Sequence, residues 1–434
     1  MKFISTRDPS IRVDLSSALL AGLAADGGLY MPQQLPRFSP GDFDHQESIA
    51  EIATQLLQPF FADDPLADEL AAICNEAFDF PAPLKALALD QTCVLELFHG
   101  PTAAFKDFGA RFLAACMKRL RKSDQPVLTI LVATSGDTGA AVAAAFHGLA
   151  NLRVVVLYPD GRVSPRQAHQ LGCFGDNVTA LRVAGSFDDC QRLVKQALSD
   201  PELQAQVPLS SANSISLGRL LPQMSYYAHA ALAHWRQTGT SLNFVIPTGN
   251  LGNAMAAILA RACGLPIADI ALATNANRVL PEFFAGNSYA PQQSVATLAN
   301  AMDVGAPSNF ERLRHLYADA DELRATFKVL AVDDPAIRAT IKAATQRYGE
   351  VFCPHTACAA RVLEQLREQG CQGHWAMVAT AHPAKFEQIV EPLVGHALVP
   401  PDALAELLAR PASAEPVRPS YEALRQTLTS RKLP

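Results

Sequence analysis

VLTILVATSGDTGAAVAAAFHGLA, residues 127–150, is the stretch that decides how this chain is read. Its first seven residues are an unbroken apolar run, typical of a strand covered on both faces. A small polar turn follows, Thr134-Ser135-Gly136-Asp137-Thr138-Gly139, and then an alanine-rich helix. The unit recurs. RVVVLYP (153–159) precedes SPRQAHQLGC, a short helix expected to end at Gly172, and VTALRV (178–183) precedes FDDCQRLVKQAL. LNFVIPT (242–248) passes through GNLGN into AMAAILARAC. ADIALAT (268–274) leads into NRVLPEFF, and HWAMVAT (374–380) into AKFEQIV. Repeated βα units with short connections predict an α/β fold: mostly parallel sheet with helices on both faces.

Around this block the texture differs. SIAEIATQLLQPFF (48–61) and LADELAAICNEAF (66–78) carry apolar residues at helical spacing, so the first 90 or so residues read as mostly helical. PAPLKAL (81–87) breaks that pattern with two prolines, and CVLELF (93–98) reads as a short strand. The Pro-rich tail RPASAEPVRPS (410–420) is expected to wrap the surface.

The chain has 434 residues, enough for two or three domains; 49% are hydrophobic and 18% charged, an ordinary composition with ample material for a core. The net charge of −6 points to neither nucleic acid nor anionic lipid as a partner. The first residues, MKFISTRDPSIRVD, place charges where a signal peptide needs an apolar core, and no apolar run approaches the roughly 20 residues that span a bilayer. Nine cysteines without a framework read as reduced thiols of a cytoplasmic protein.

In such sheets ligands bind at the carboxyl ends of the strands. Four strand ends carry chemistry. After 127–133, the turn 134–139 opens a helix whose free N–H groups suit a carboxylate or phosphate; an ordinary N-cap by Asp137 or Thr138 explains it as well. After 242–248, Gly249 and Gly252 flank Asn250 before a helix. No Gly-Lys-Ser/Thr follows and the spacing is not G-x-G-x-x-G, so the reading is an anion cradle or a plain Gly-rich turn rather than a nucleotide loop. After 374–379, Thr380 could bond a ring nitrogen or cap the next helix; His382 and Lys385 lie close by. After 93–98, KDFGARFLAACMKRL predicts a helix with Phe108, Phe112, Leu113, Cys116 and Leu120 on its apolar side. Lys106 lies in its first turn, where the helix dipole and burial between Phe105 and Phe108 both disfavour an ammonium. A neutral amine there has the property of a Schiff-base lysine; the competing explanation is a lysine that snorkels to solvent.

Taken together, these blocks resemble the threonine synthases, of the fold-type-II pyridoxal-phosphate enzymes, in the longer branch with an extended N-terminal domain. The resemblance rests on STRDP (5–9), GLAADGGLYMP (22–32), FHGPTAAFKDFGAR (98–111), ATSGDTGAA (133–141), NSISLGRLLPQ (213–223), PTGNLGN (247–253) and TAHPAKF (380–386). It implies pyridoxal 5'-phosphate as cofactor and O-phospho-L-homoserine as substrate, converted with water to L-threonine and phosphate by a monomer or homodimer. It implies an N-terminal, mainly helical domain (1–92), a smaller subdomain (93–210) carrying Lys106 and the substrate loop, and a larger one (211–434) carrying the cofactor-phosphate loop and a C-terminal extension.

By the same resemblance, Lys106 joins the cofactor aldehyde and later shuttles protons. Gly249, Asn250, Leu251, Gly252 and Asn253 hold the cofactor phosphate, and Thr380 meets the pyridine nitrogen. Ser135, Gly136, Asp137 and Thr138 hold the substrate carboxylate. Asn213, Ser214 and Arg219 face the substrate phosphate. Many fold-type-II relatives have Asn where this chain has Asp137; an aspartate beside a carboxylate is awkward unless it points away or is protonated. Leu251 stands where an aromatic is common. The alternatives are another enzyme of the cofactor family, such as threonine dehydratase or a β-replacing synthase, and a catalytically silent homologue. A zinc site at CPHTAC (353–358), from Cys353, His355 and Cys358 with His374, lacks a second Cys/His pair at zinc-finger spacing. Core thiols and a structural histidine are favoured there.

Overall fold

A computed structural model describes residues 1–122 and 124–430. Three sheets organise it. The largest has six strands in the order Lys328–Ala331, Ile267–Thr274, Leu242–Pro247, Trp375–Ala379, Thr92–Glu96 and Leu84–Ala86, all parallel except the last. A second sheet has five parallel strands in the order Glu415–Val417, Val178–Val183, Leu152–Pro159, Leu128–Ala133 and Leu209–Ser211. The mainly apolar runs Leu128–Ala133 and Leu152–Pro159 are interior strands of it, buried along their whole length. A small antiparallel sheet of Arg12–Val13, Phe3–Ser5 and Tyr30–Pro32 opens the chain, ahead of the helices Ile49–Leu57 and Leu70–Ala77.

The expected boundaries are crossed in three places. Thr92–Glu96 straddles the 92/93 division, and its residues 93–96, expected in the smaller subdomain, are hydrogen-bonded within the larger sheet, between Trp375–Ala379 and Leu84–Ala86. Leu209–Ser211 straddles the 210/211 division and joins the smaller sheet. Glu415–Val417, in the tail expected only to wrap the surface, forms the edge strand of that smaller sheet beside Val178–Val183. A short extended segment is what an open edge accepts, and Pro416 is tolerated there because an edge strand need not use every N–H. The last four positions of the 211–434 subdomain lie outside the described residues.

The helix predicted at the lysine runs Lys106–Leu120. Phe108, Phe112, Leu113 and Cys116 are buried on it, and Leu120 is half-buried. It starts just past the large-sheet strand Thr92–Glu96 and packs against Asp137–Phe146, the helix that follows the small-sheet strand Leu128–Ala133. Phe78 stacks on Phe112 at 6.0 Å and Phe80 meets Phe108 edge-on at 4.6 Å, so the N-terminal region seals its outer face. This crossing from one sheet to the other brings the carboxyl ends of strands from both sheets to one place.

Candidate active site

Lys106 owes its place to the turn before it. Its neighbour Asp107 is buried and accepts from the Thr102 N–H (2.9 Å) and hydroxyl (2.6 Å), which locks residues 102–107 into the start of the helix. The Phe105 N–H donates to the Thr380 carbonyl at 2.8 Å, tying that turn to the neighbouring strand end. The Lys106 ammonium nitrogen lies 4.5 Å from the Phe105 ring centroid, with no hydrogen bond or ion pair among the described residues. Burial, then the Arg219 cation, lower its pKa to about 8, against an opposing pull from Asp137. About one such amine in ten is uncharged at pH 7, against about one in three thousand for an ordinary lysine.

The cavity in front of Lys106 is lined by Phe105, Asp137, Ser214, residues 247–253, Ala301, Met302, His355 and Thr380. The segment 249–253 has the geometry of an anion cradle. Leu251 takes φ +62° ahead of the helix Gly252–Ala262, and the N–H groups of 249–253 have no partner among the described residues. This is a nest of backbone donors at a helix start. A Cβ on Gly249 would stand 2.7 Å from the Met302 Cα, so only glycine lets the two segments approach. Asn253 accepts from the Tyr226 (2.5 Å) and Tyr227 (2.8 Å) hydroxyls, while its buried amide nitrogen has no partner. The free N–H groups of 249–253, the unpartnered Asn253 amide and the buried Lys106 amine fit a cofactor that carries a phosphate and an aldehyde.

The other expected residues divide. In the loop 135–138, the Thr134 hydroxyl accepts from the N–H groups of Gly136 and Gly139, both at 2.9 Å. The N–H groups of Ser135, Asp137 and Thr138 have no partner among the described residues. Gly136 has φ +134°, closed to other residues. Of this loop only Asp137 lines the cavity. Its carboxylate is held by Lys385 at 2.8 Å and by the Gln167 amide at 3.0 Å. Lys385 and His355 keep its pKa below the usual carboxylate range although burial opposes them.

Asn213 and Arg219 are not part of the cavity lining. The Asn213 amide exchanges two hydrogen bonds with the backbone of Ala133, at 3.1 and 2.6 Å, and so braces the strand end. The Arg219 guanidinium donates to the Ala212 carbonyl (2.5 Å) and the Lys106 carbonyl (3.4 Å), is fully buried, and does not line the cavity. Both side chains bond backbone behind the cavity, and the buried Arg219 Nε has no partner among the described residues. Ser214 does reach the cavity, but on the cradle side, where its hydroxyl accepts from Asn250 at 2.7 Å.

Sequence reasoning missed three features. His355 was weighed only as a structural histidine or zinc ligand; it lines the cavity, and its Nε2 accepts from the Ala301 N–H at 3.1 Å. The remaining CPHTAC side chains do other work: Cys353 caps the helix Pro354–Glu368, Cys358 is buried in the core, and the His374 ring lies against His234. Ala301 and Met302 come from a segment with no motif. Behind the cradle, the buried Asn309 amide donates to the carbonyls of Ser214 (3.3 Å) and Asn250 (2.9 Å). Arg312 donates to the carbonyls of Tyr30 (3.1 Å), Ser214 (3.2 Å) and Ile215 (2.7 Å). Of these, only His355 carried a signal, in the CPHTAC block.

A partly neutral lysine facing a backbone anion cradle, at the joined carboxyl ends of two mostly parallel sheets, defines a fold-type-II pyridoxal-phosphate-dependent enzyme. The comparisons agree. Residues 79–383 match the family model described as pyridoxal-phosphate dependent enzyme, 2–78 the threonine synthase N terminus, and 356–428 the threonine synthase C-terminal model. The chain is 39% identical over 430 residues to the threonine synthase of Serratia marcescens, covering 99% of each. It superposes on the crystal structure of threonine synthase from Escherichia coli with a TM-score of 0.92 at 37% identity, over 100% of both chains. On pyridoxal-phosphate-bound threonine synthase from Brucella melitensis the TM-score is 0.88 at 34% identity, over 99% of both. The chain belongs to the threonine synthase family.

Proposed function

We propose that the chain converts O-phospho-L-homoserine and water to L-threonine and phosphate, in the cytoplasm, as a monomer or homodimer. The observation that carries this reading is the cavity itself, which sets Lys106, with its lowered pKa, against the free N–H groups of 249–253. When bound, pyridoxal phosphate supplies a ring that stabilises negative charge on the substrate carbons next to its nitrogen. The cradle 249–253 and the Asn253 amide hold the cofactor phosphate. Thr380, at the end of its strand, offers a neutral hydroxyl to the ring nitrogen, which leaves that nitrogen less fully protonated than a carboxylate would.

The free N–H groups of Ser135, Asp137 and Thr138 receive the substrate carboxylate. Lys106, uncharged once released, takes the proton from Cα. A second proton leaves Cβ, and the phosphate departs from Cγ with the C–O bonding pair. Lys106 is placed to return a proton to Cγ; water then adds its hydroxyl at Cβ and gives up a proton, and Cα regains a proton from Lys106 to complete L-threonine. Phe105, Ala301 and Met302 line the cavity with apolar surface, which limits bulk water around the reacting carbons.

The test is release of inorganic phosphate from O-phospho-L-homoserine with L-threonine formed in equal amount. A threonine dehydratase would instead form ammonia and a keto acid from L-threonine, and a silent homologue would do neither.

A further inference from the structure

Asp137 is an aspartate in the wall of a loop proposed to receive a carboxylate. At a separation of about 5 Å in a protein interior, two such charges would lower substrate affinity on the order of a hundredfold. The structure shows what offsets it. Lys385 is wholly buried, and its ammonium sits 2.8 Å from Asp137 Oδ1 and 2.8 Å from the Thr102 carbonyl. The lysine cannot drift, because its backbone is fixed from the other sheet. The Ser164 hydroxyl donates to the Lys385 carbonyl at 2.7 Å and Arg166 to the Ala384 carbonyl at 2.5 Å. The Gln167 amide holds the same Asp137 oxygen at 3.0 Å.

The two partners also come from different subdomains. Asp137 begins the helix after the small-sheet strand Leu128–Ala133, and Lys385 follows the large-sheet strand Trp375–Ala379. We infer that Lys385 is a positioning residue for substrate: its ion pair with Asp137 cancels the charge in the wall of the 135–138 loop and so makes that loop receptive to the substrate carboxylate. This rests on the proposed function for the identity of the substrate. The other titratable groups facing Asp137 are Lys106, His355 and the Cys353 thiol, and none of them is in hydrogen-bond contact with it.

A purely structural pair and an electrostatic one predict different patterns. The experiment compares Lys385→Met, Asp137→Asn and the double variant, measuring KM and kcat with O-phospho-L-homoserine on the holoenzyme and the melting temperature of each apoprotein. Lys385→Met is expected to raise KM about tenfold or more, because the carboxylate stays without its cation. Adding Asp137→Asn is expected to return KM to within about threefold of the parent and to recover part of the lost melting temperature. If Lys385→Met does not fold, Lys385→Gln, which removes the cation and keeps a donor for Asp137, takes its place in the comparison. An unchanged KM in Lys385→Met, or a double variant whose KM stays raised, overturns the inference. Absence of turnover in the parent chain would instead sink the proposed function. The inference then stands or falls on whether Lys385→Met weakens, and the double variant restores, binding of L-threonine, read as a change in the holoenzyme's absorbance.

Discussion

Arg219 Nη2 lies 3.4 Å from the carbonyl oxygen of Lys106, which puts a buried cation directly behind the reactive lysine. That cation is the second cause, after burial, of the lysine's pKa of about 8. Removing it relieves the penalty on the charged amine, so the pKa rises. In Arg219→Met, the pH midpoint for cofactor capture by apoprotein is expected to move above about 8, and capture at pH 7 to slow. Absorbance-monitored capture between pH 6.5 and 9.5 measures it. An unmoved midpoint would mean burial alone sets the lysine.

Asn253 separates holding the fold from holding the cofactor. Asn253→Asp keeps an acceptor for the Tyr226 and Tyr227 hydroxyls but replaces the unpartnered amide with an anion facing the cradle. Cofactor affinity is expected to fall about a hundredfold, with a much smaller change in the melting temperature of the apoprotein. Equilibrium titration with pyridoxal phosphate reads the first and calorimetry the second.

Two histidines give the fold an acid edge. Burial lowers the pKa of His355 and of His382 to about 4, from 6.5. Between those values the unfolded chain binds more protons than the folded one, so stability rises with pH across the window and is lost as pH falls from 6.5 towards 4. The double variant His355→Gln, His382→Gln should show a flatter melting temperature between pH 6.5 and 4.5, as a thermal-melt series would reveal.

Arg312 braces the cradle from behind. Arg312→Met strips donors from the carbonyls of Tyr30, Ser214 and Ile215 and from the Asn309 side chain. A loss of about 3 kcal/mol or more is expected in urea unfolding of the apoprotein, since buried acceptors left unpaired each cost about 1–3 kcal/mol. Cofactor affinity should weaken as well, because Asn309 loses its anchor beside Asn250.

Much of this was legible because period and punctuation act locally. The runs at 127–133 and 242–248 announce buried parallel strands, and the glycines after them mark tight turns into helices. Lys106 was legible for the same reason, as a charge in the first turn of an apolar helix. What escaped depends on contacts distant in sequence. Thr92–Glu96 reads as a strand, but nothing local says which sheet it joins. The resemblance makes Arg219 a phosphate ligand, and only the tertiary structure shows its Nη1 and Nη2 turned to the carbonyls of Ala212 and Lys106. The Asp137 problem posed by the sequence is answered by a lysine some 250 positions later, and the partners of Ala301, Asn309 and Arg312 leave no pattern in their own segment.

Lys106, facing the cradle 249–253, is the lysine proposed to carry the cofactor. Borohydride reduction of the holoenzyme, followed by peptide mass spectrometry, tests it most directly. A single pyridoxyl mass on the peptide containing Lys106, absent from Lys106→Ala protein that still binds cofactor, is the predicted result. The same mass on a different lysine, or none on any, would contradict it.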